Sequence, residues 1–105
     1  MIMKLRNRLQ KHCRWGPLKD VERVRFMALA LCGEAGELAN LVKKDWRGDA
    51  GDRRDQMVEE LADVANYAFM LAELLDVDLI EAMSQKLIKV EKRQEFMRHV
   101  EGKIK

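Results

Sequence analysis

The sequence predicts an all-α fold, a four-helix bundle, and three features carry that prediction. Helix-forming residues dominate its 105 positions, which include one proline and six glycines. β-Branched residues are scattered instead of alternating with polar ones, and apolar residues recur at steps of three and four. The first helix is expected over about residues 2–13, with Ile2, Leu5, Leu9 and Cys13 on one face, and Gly16-Pro17 ends it. The second opens near Asp20, a candidate N-cap, and runs to about Trp46. Gly48-Asp49-Ala50-Gly51 then forms the only obvious flexible loop. The third helix runs from about Arg53 to Leu75. Asp78 followed by Glu81 reads as a capping-box-like start for the fourth, which continues to about Glu101 before Gly102. No internal repeat, low-complexity tract or linker interrupts the chain, so residues 1–105 read as one helical domain.

Composition narrows the function classes. With 48% hydrophobic and 36% charged residues the chain suits one compact, soluble, intracellular domain, too short for two. A domain of this size buries roughly two-thirds of its unfolded surface, leaving little to spare, so oligomerisation would help. There is no threonine and one serine, Ser84, which nearly excludes hydroxyl-nucleophile catalysis. Cys13 and Cys32 imply no disulfide framework and read as reduced thiols in a cytoplasmic protein. The longest apolar run, Phe26 to Cys32, is too short to span a bilayer. Residues 1–14 lack both serine and a long apolar stretch, which argues against a cleaved targeting peptide.

The net charge of +2 hides an uneven distribution. Residues 1–25 hold eight Lys/Arg against two Asp/Glu, residues 26–82 five against thirteen, and residues 83–105 seven against three. An acidic middle between basic ends suits a cation site whose anionic ligand is gripped from outside.

Acids also occur where a core should be. On the second helix Met27, Ala30, Glu34, Glu37 and Leu41 step by three and four, placing two carboxylates in an apolar stripe. On the third, Met57, Glu60, Asp63 (or Val64), Tyr67, Met70 (or Leu71) and Leu74 repeat the arrangement. If the stripes face each other in an antiparallel pair, four carboxylates converge and need a cation or must take up protons. An all-oxygen set with no histidine matches Mg²⁺, or Mn²⁺, better than Zn²⁺ or a di-iron centre, and magnesium points to phosphate chemistry. The plain alternative is solvated acids paired with nearby Lys or Arg. Gly33 and Gly36, flanking Glu34, imply a close backbone approach by a neighbouring helix or a ligand; tight packing at Gly33, Ala35, Gly36 and Ala39 would explain them equally well.

Gly33-Glu34-Ala35-Gly36-Glu37-Leu38 and Glu60-Leu61-Ala62-Asp63, with 22 residues between Glu37 and Glu60, resemble the Glu-x-x-Glu, spacer, Glu-x-x-Asp signature of MazG-like nucleoside triphosphate pyrophosphohydrolases. The likeness runs from about Leu18 to Arg93. It implies that Glu34, Glu37, Glu60 and Asp63 hold magnesium, with Glu37 positioning or deprotonating the attacking water. It also implies hydrolysis of a nucleoside triphosphate between its α- and β-phosphates, commonly to remove unwanted nucleotides. Lys44 occupies a site where the family often has lysine, and Tyr67 falls where a related member has a tyrosine near the substrate. Lys86 and Arg93 fit a phosphate-binding Lys-x-x-x-Asn-x-x-Arg pattern, from which Val90 departs in place of asparagine. Trp15 lies about one turn from the position of a base-stacking tryptophan. The resemblance further implies a homodimer or homotetramer whose subunits share the substrate site.

Blander roles stand beside these. Lys86 and Arg93 belong to a helix rich in basic residues and could simply be solvated, and Tyr67 could be a core aromatic. His12 and His99 read as surface or packing residues, and Met27, Met57, Met70 and Met83 as core filling. The competing function class is a helical interaction or nucleic-acid-binding module using Lys4, Arg6, Arg8, Lys11 and Arg14 on the first helix. A family member that binds nucleotides without cleaving them is a third reading.

Overall fold

A computed structural model describes residues 2–13 and 20–104, and within them the side chains other than those of residues 2, 3, 6, 12, 13 and 104. Four α-helices follow one another: α1 (Ile2–Cys13), α2 (Asp20–Trp46), α3 (Arg54–Leu74) and α4 (Leu79–Ile104). The expected Gly16-Pro17 stop, Arg14 and Trp15 lie outside the described residues, as do the side chains of Ile2, Arg6, His12 and Cys13.

Helices α2 and α3 form an antiparallel hairpin, and α1 packs on α3. The apolar stripes predicted from spacing face inward: Met27 is buried, and Ala30, Leu41, Met57, Val64, Tyr67, Leu71 and Leu74 are half-buried. Leu9 of α1 and Ala72 of α3 complete the small buried core. Glu73, buried beside Ala72, accepts a hydrogen bond from Gln10 Nε2 at 2.7 Å and ties α1 to α3.

The turn that closes the hairpin is built from backbone and one arginine. At the end of α2 the Asp49 amide donates to Lys44 O and the Gly48 amide to Asp45 O, both at 3.1 Å, while Gly48 takes φ +82°. This is a Schellman ending, and its left-handed residue is the one where glycine costs least. Arg53 then folds back over the loop: Nη1 donates to Asp49 O at 3.0 Å and Nη2 to Ala50 O at 2.9 Å. Arg47 pairs with Asp49 at 2.7 Å. The loop is therefore tied down by the Arg53 guanidinium on its carbonyls and the Arg47 guanidinium on the Asp49 carboxylate, and is not the loose glycine linker its composition suggests.

The second turn follows the same rule with a different residue. Val77 donates to Ala72 O and Asp76 to Glu73 O, with Asp76 at φ +55°. Asp78 caps α4, its Oδ1 accepting from the Glu81 amide at 3.1 Å, as the sequence predicts. The Glu81 side chain does not return the bond to complete a box; its Oε1 accepts from Gln85 Nε2.

Helix α4 leaves the hairpin without packing along it. The chain therefore spans 60 × 42 × 28 Å, with a radius of gyration of 18.3 Å against about 13 Å for a compact chain of this length. The single chain is not the compact unit that its composition favours, because α4 does not close on the α2–α3 hairpin. Met83, read as core filling, is half exposed for the same reason.

A non-glycine residue in the left-handed region costs about 1 kcal/mol or less when it is aspartate, which visits that region more readily than most. Asp76→Gly is expected to raise unfolding stability by about 0.5–1 kcal/mol, and Asp76→Val to lower it. Thermal melts at one fixed protein concentration check the order; a lower Tm for the glycine variant contradicts it.

Candidate metal centre

The helical repeat puts Glu34 and Glu37 one turn apart on α2, and the hairpin brings Glu60 of α3 to them. Carboxylate oxygens of Glu34, Glu37 and Glu60 lie within 4.8 Å of one another. Glu34 and Glu60 are half-buried and Glu37 is exposed, so the group sits at the edge of the hairpin core, with Glu37 at its mouth. Among the described residues this is the one such gathering of three or more potential metal-ligating side chains.

The cluster is electrostatically unsatisfied by protein alone. The Oε2 atom of Glu60 is buried and has no hydrogen-bond partner. The Glu60 carboxyl is pushed up to about 7, first by sharing a proton with Glu34, then by desolvation and by Glu37. A carboxylate that resists ionisation because two others crowd it is relieved by a cation placed among them. The donors are hard oxygens with no sulfur or nitrogen, which suits Mg²⁺ or Mn²⁺ chemically.

The other expected site residues are distributed less tightly. Asp63, one turn beyond Glu60, is exposed and stands outside the group of three. Tyr67, a turn further, is half-buried on α3. Lys44 is exposed near the end of α2, where its carbonyl accepts the Schellman bond from Asp49. Lys86 and Arg93 are exposed on α4, which packs against neither carboxylate helix, so one chain does not bring them to the acids. Val90 is half-buried in an apolar groove along α4 that Lys86 and Leu87 also line.

Gly33 and Gly36 flank Glu34 on open surface. A Cβ on either would meet nothing within 4 Å, and Ala35 and Ala39 are exposed as well. Tight packing of this stretch within the chain, one of the two explanations offered by the sequence, is thereby excluded among the described residues. Sequence reasoning missed Glu73 and Arg53. Glu73 lies one position off the α3 stripe, between Met70 and Leu74, and the docking of α1 brings Gln10 to it. Arg53 gave no signal beyond its place after the loop it ties.

The raised Glu60 value fixes the sign of a pH effect. Between the ordinary value near 4.5 and about 7 the folded chain keeps a proton that the unfolded chain releases, so stability falls as pH rises through that window. With divalent cations chelated, unfolding followed at about pH 5, 6 and 7 should show this loss. Glu60→Gln should flatten the profile, and added Mg²⁺ should restore stability at the upper end. A metal-free profile that is level or rises with pH would contradict the cluster's geometry.

No helix of the described residues is long and apolar enough to cross a membrane. The domain model described as "MazG nucleotide pyrophosphohydrolase domain" matches residues 23–97, which contain all of α3 and most of α2 and α4. The chain is also similar to the "Gene 37 protein" of Mycobacterium phage L5. The two are 37% identical over 84 residues, covering 76% of this chain and 74% of that protein. No solved structure matches the chain. The matched span takes in both acidic motifs and the carboxylates they bring together, and the chain belongs to the MazG nucleotide pyrophosphohydrolase domain family.

Proposed function

We propose that the protein is a Mg²⁺-dependent nucleoside triphosphate pyrophosphohydrolase that converts a nucleoside or deoxynucleoside triphosphate to monophosphate and pyrophosphate. The observation that carries this reading is the trio Glu34, Glu37 and Glu60 within 4.8 Å, with a buried, unpartnered oxygen on Glu60. Held by Glu34, Glu37 and Glu60, with Asp63 beside them, Mg²⁺ would supply charge neutralisation for the triphosphate and Lewis acidity at the reacting phosphate. Mn²⁺ would fit the same oxygens.

In this reading Glu34, Glu60 and Asp63 act mainly as ligands. Glu37 is the exposed member of the trio and therefore the one able to meet solvent and substrate together. It orients the attacking water and accepts its proton as the water oxygen adds to phosphorus and the α–β bridging oxygen leaves with pyrophosphate. The near-absence of hydroxyl side chains fits a reaction whose nucleophile is water. Lys44 balances phosphate charge at the hairpin, and Tyr67 lies alongside the substrate. Lys86 and Arg93 stand away from the acids of their own chain, so their phosphate role belongs to a homodimer or homotetramer in which α4 reaches another subunit. Removal of unwanted nucleotides in the cytoplasm is the physiological role that goes with this chemistry.

A panel of ordinary and modified nucleoside triphosphates with Mg²⁺, scored for pyrophosphate against orthophosphate, tests the reaction. Pyrophosphate release is the expected result; orthophosphate would assign a different bond, and neither product would favour a binding module. Glu37→Ala is expected to lower kcat by about 100- to 10,000-fold, the usual span for removing a general base. Asp63→Ala should abolish pyrophosphate release while far-UV circular dichroism keeps its helical form. Near wild-type turnover in either variant removes that residue from the mechanism.

A further inference from the structure

The residue at the start of α3 contradicts the local rules for its place. Arg53 is the N-cap, where Asp, Asn, Ser or Thr would accept a hydrogen bond from the first helical amides, and its side chain makes no such bond. A guanidinium has no acceptor to offer, and its charge opposes the positive end of the helix dipole. A residue that breaks a local preference in this way marks a role elsewhere. Here the side chain turns back over the hairpin loop. Nη1 donates to Asp49 O at 3.0 Å and to Gly51 O at 3.4 Å, and Nη2 to Ala50 O at 2.9 Å. Among the described residues these are the hydrogen bonds that join the start of α3 to residues 49–51, since the backbone bonds of the turn stay within the end of α2 or the start of α3.

The carboxylate centre lies at the other end of that tether. Glu60 is seven residues along α3 from Arg53, two turns or about 10 Å, so a pivot of about 6° at the turn moves it by about 1 Å against α2. Glu34 and Glu37 push it that way, because three acids within 4.8 Å repel when ionised. Met57, the stripe residue one turn before Glu60, is a flexible side chain that repacks readily and resists little. Such a shift matters unequally to different cations. Mg²⁺ requires near-ideal octahedral oxygens at about 2.0–2.1 Å, whereas Ca²⁺ takes about six to eight at about 2.3–2.6 Å in looser geometry.

We propose that Arg53 is a positioning residue of the carboxylate centre: by pinning α3 to the loop carbonyls it holds Glu60 against Glu34 and Glu37 in the arrangement that favours Mg²⁺ relative to Ca²⁺. This rests on the reading of the three acids as a Mg²⁺ site and adds the device that sets its selectivity. Arg47 provides the internal comparison, because its guanidinium pairs with the Asp49 carboxylate at 2.7 Å and, among the described residues, with none of the loop carbonyls.

Competition for Mn²⁺ on the full chain tests the tether, with free Mn²⁺ followed by electron paramagnetic resonance as Mg²⁺ or Ca²⁺ is added. The ratio of Mg²⁺ to Ca²⁺ affinity in the wild type is the reference. Arg53→Met should lower that ratio by at least about 10-fold, with Mg²⁺ binding reduced and Ca²⁺ binding held within about 3-fold. Arg53→Lys, whose ammonium lacks the fork that spans neighbouring carbonyls, should fall between, and Arg47→Met should match the wild type. Far-UV circular dichroism and measurement well below Tm keep folding separate from binding. If the methionine variant does not fold, the lysine variant decides alone. A loss common to both cations, or an unchanged ratio, overturns the positioning role and leaves the Mg²⁺ site in place. A wild-type chain that holds no Mn²⁺ overturns the reading of the site and this inference with it.

Discussion

Everything else in the structure follows from holding three carboxylates within 4.8 Å between two helices. Like charges at that distance oppose ionisation, and desolvation adds to the opposition, which is why Glu60 rises to about 7. A hairpin that tolerates this repulsion needs compensation from its apolar stripes and its turn. Met27, Leu41, Met57, Val64 and Leu71 provide the first, flanking the acids along both helices. The α2–α3 turn provides the second: a Schellman ending at Gly48 and the Arg53 guanidinium on the loop carbonyls keep the two helices in register.

The same constraint explains why the core is small. Positions that would bury leucine in an ordinary helical hairpin are occupied by Glu34 and Glu60, so apolar burial shifts to the ends, to Met27 and to the seam with α1 at Leu9 and Ala72. At that seam the buried Glu73 takes the Gln10 hydrogen bond. One buried acid is thus satisfied locally by an amide donor, while the trio at the hairpin centre lacks any protein donor for Glu60 Oε2. This contrast separates a carboxylate satisfied within the fold from one whose buried oxygen a cation would satisfy.

The outer helix shows the other consequence. With its interior given to acids, the hairpin has a small single-chain core, and α4 does not pack along it but projects with its apolar residues uncovered. Met83 and Leu87 of α4 are both more than half exposed. The phosphate role proposed for Lys86 and Arg93 and the closure of the fold are therefore one question about quaternary contact.

Local chemistry was written in the sequence. The spacing of apolar residues set the four helices, Gly48 set the end of α2, Asp78 set the start of α4, and the two acidic motifs set which helix faces carry carboxylates, because helical period and capping act within a few residues. Three choices needed the tertiary structure. Asp63 shares the stripe with Glu60 by period yet stands apart from the trio, since hairpin rotation and side-chain direction decide which oxygens meet. Glu73 became a buried partner of Gln10 only through a contact 63 residues distant in sequence. The glycines beside Glu34 mark a close approach, but only the open space above them shows that it is not made within the chain, because spacing along one helix says nothing of what lies across from it.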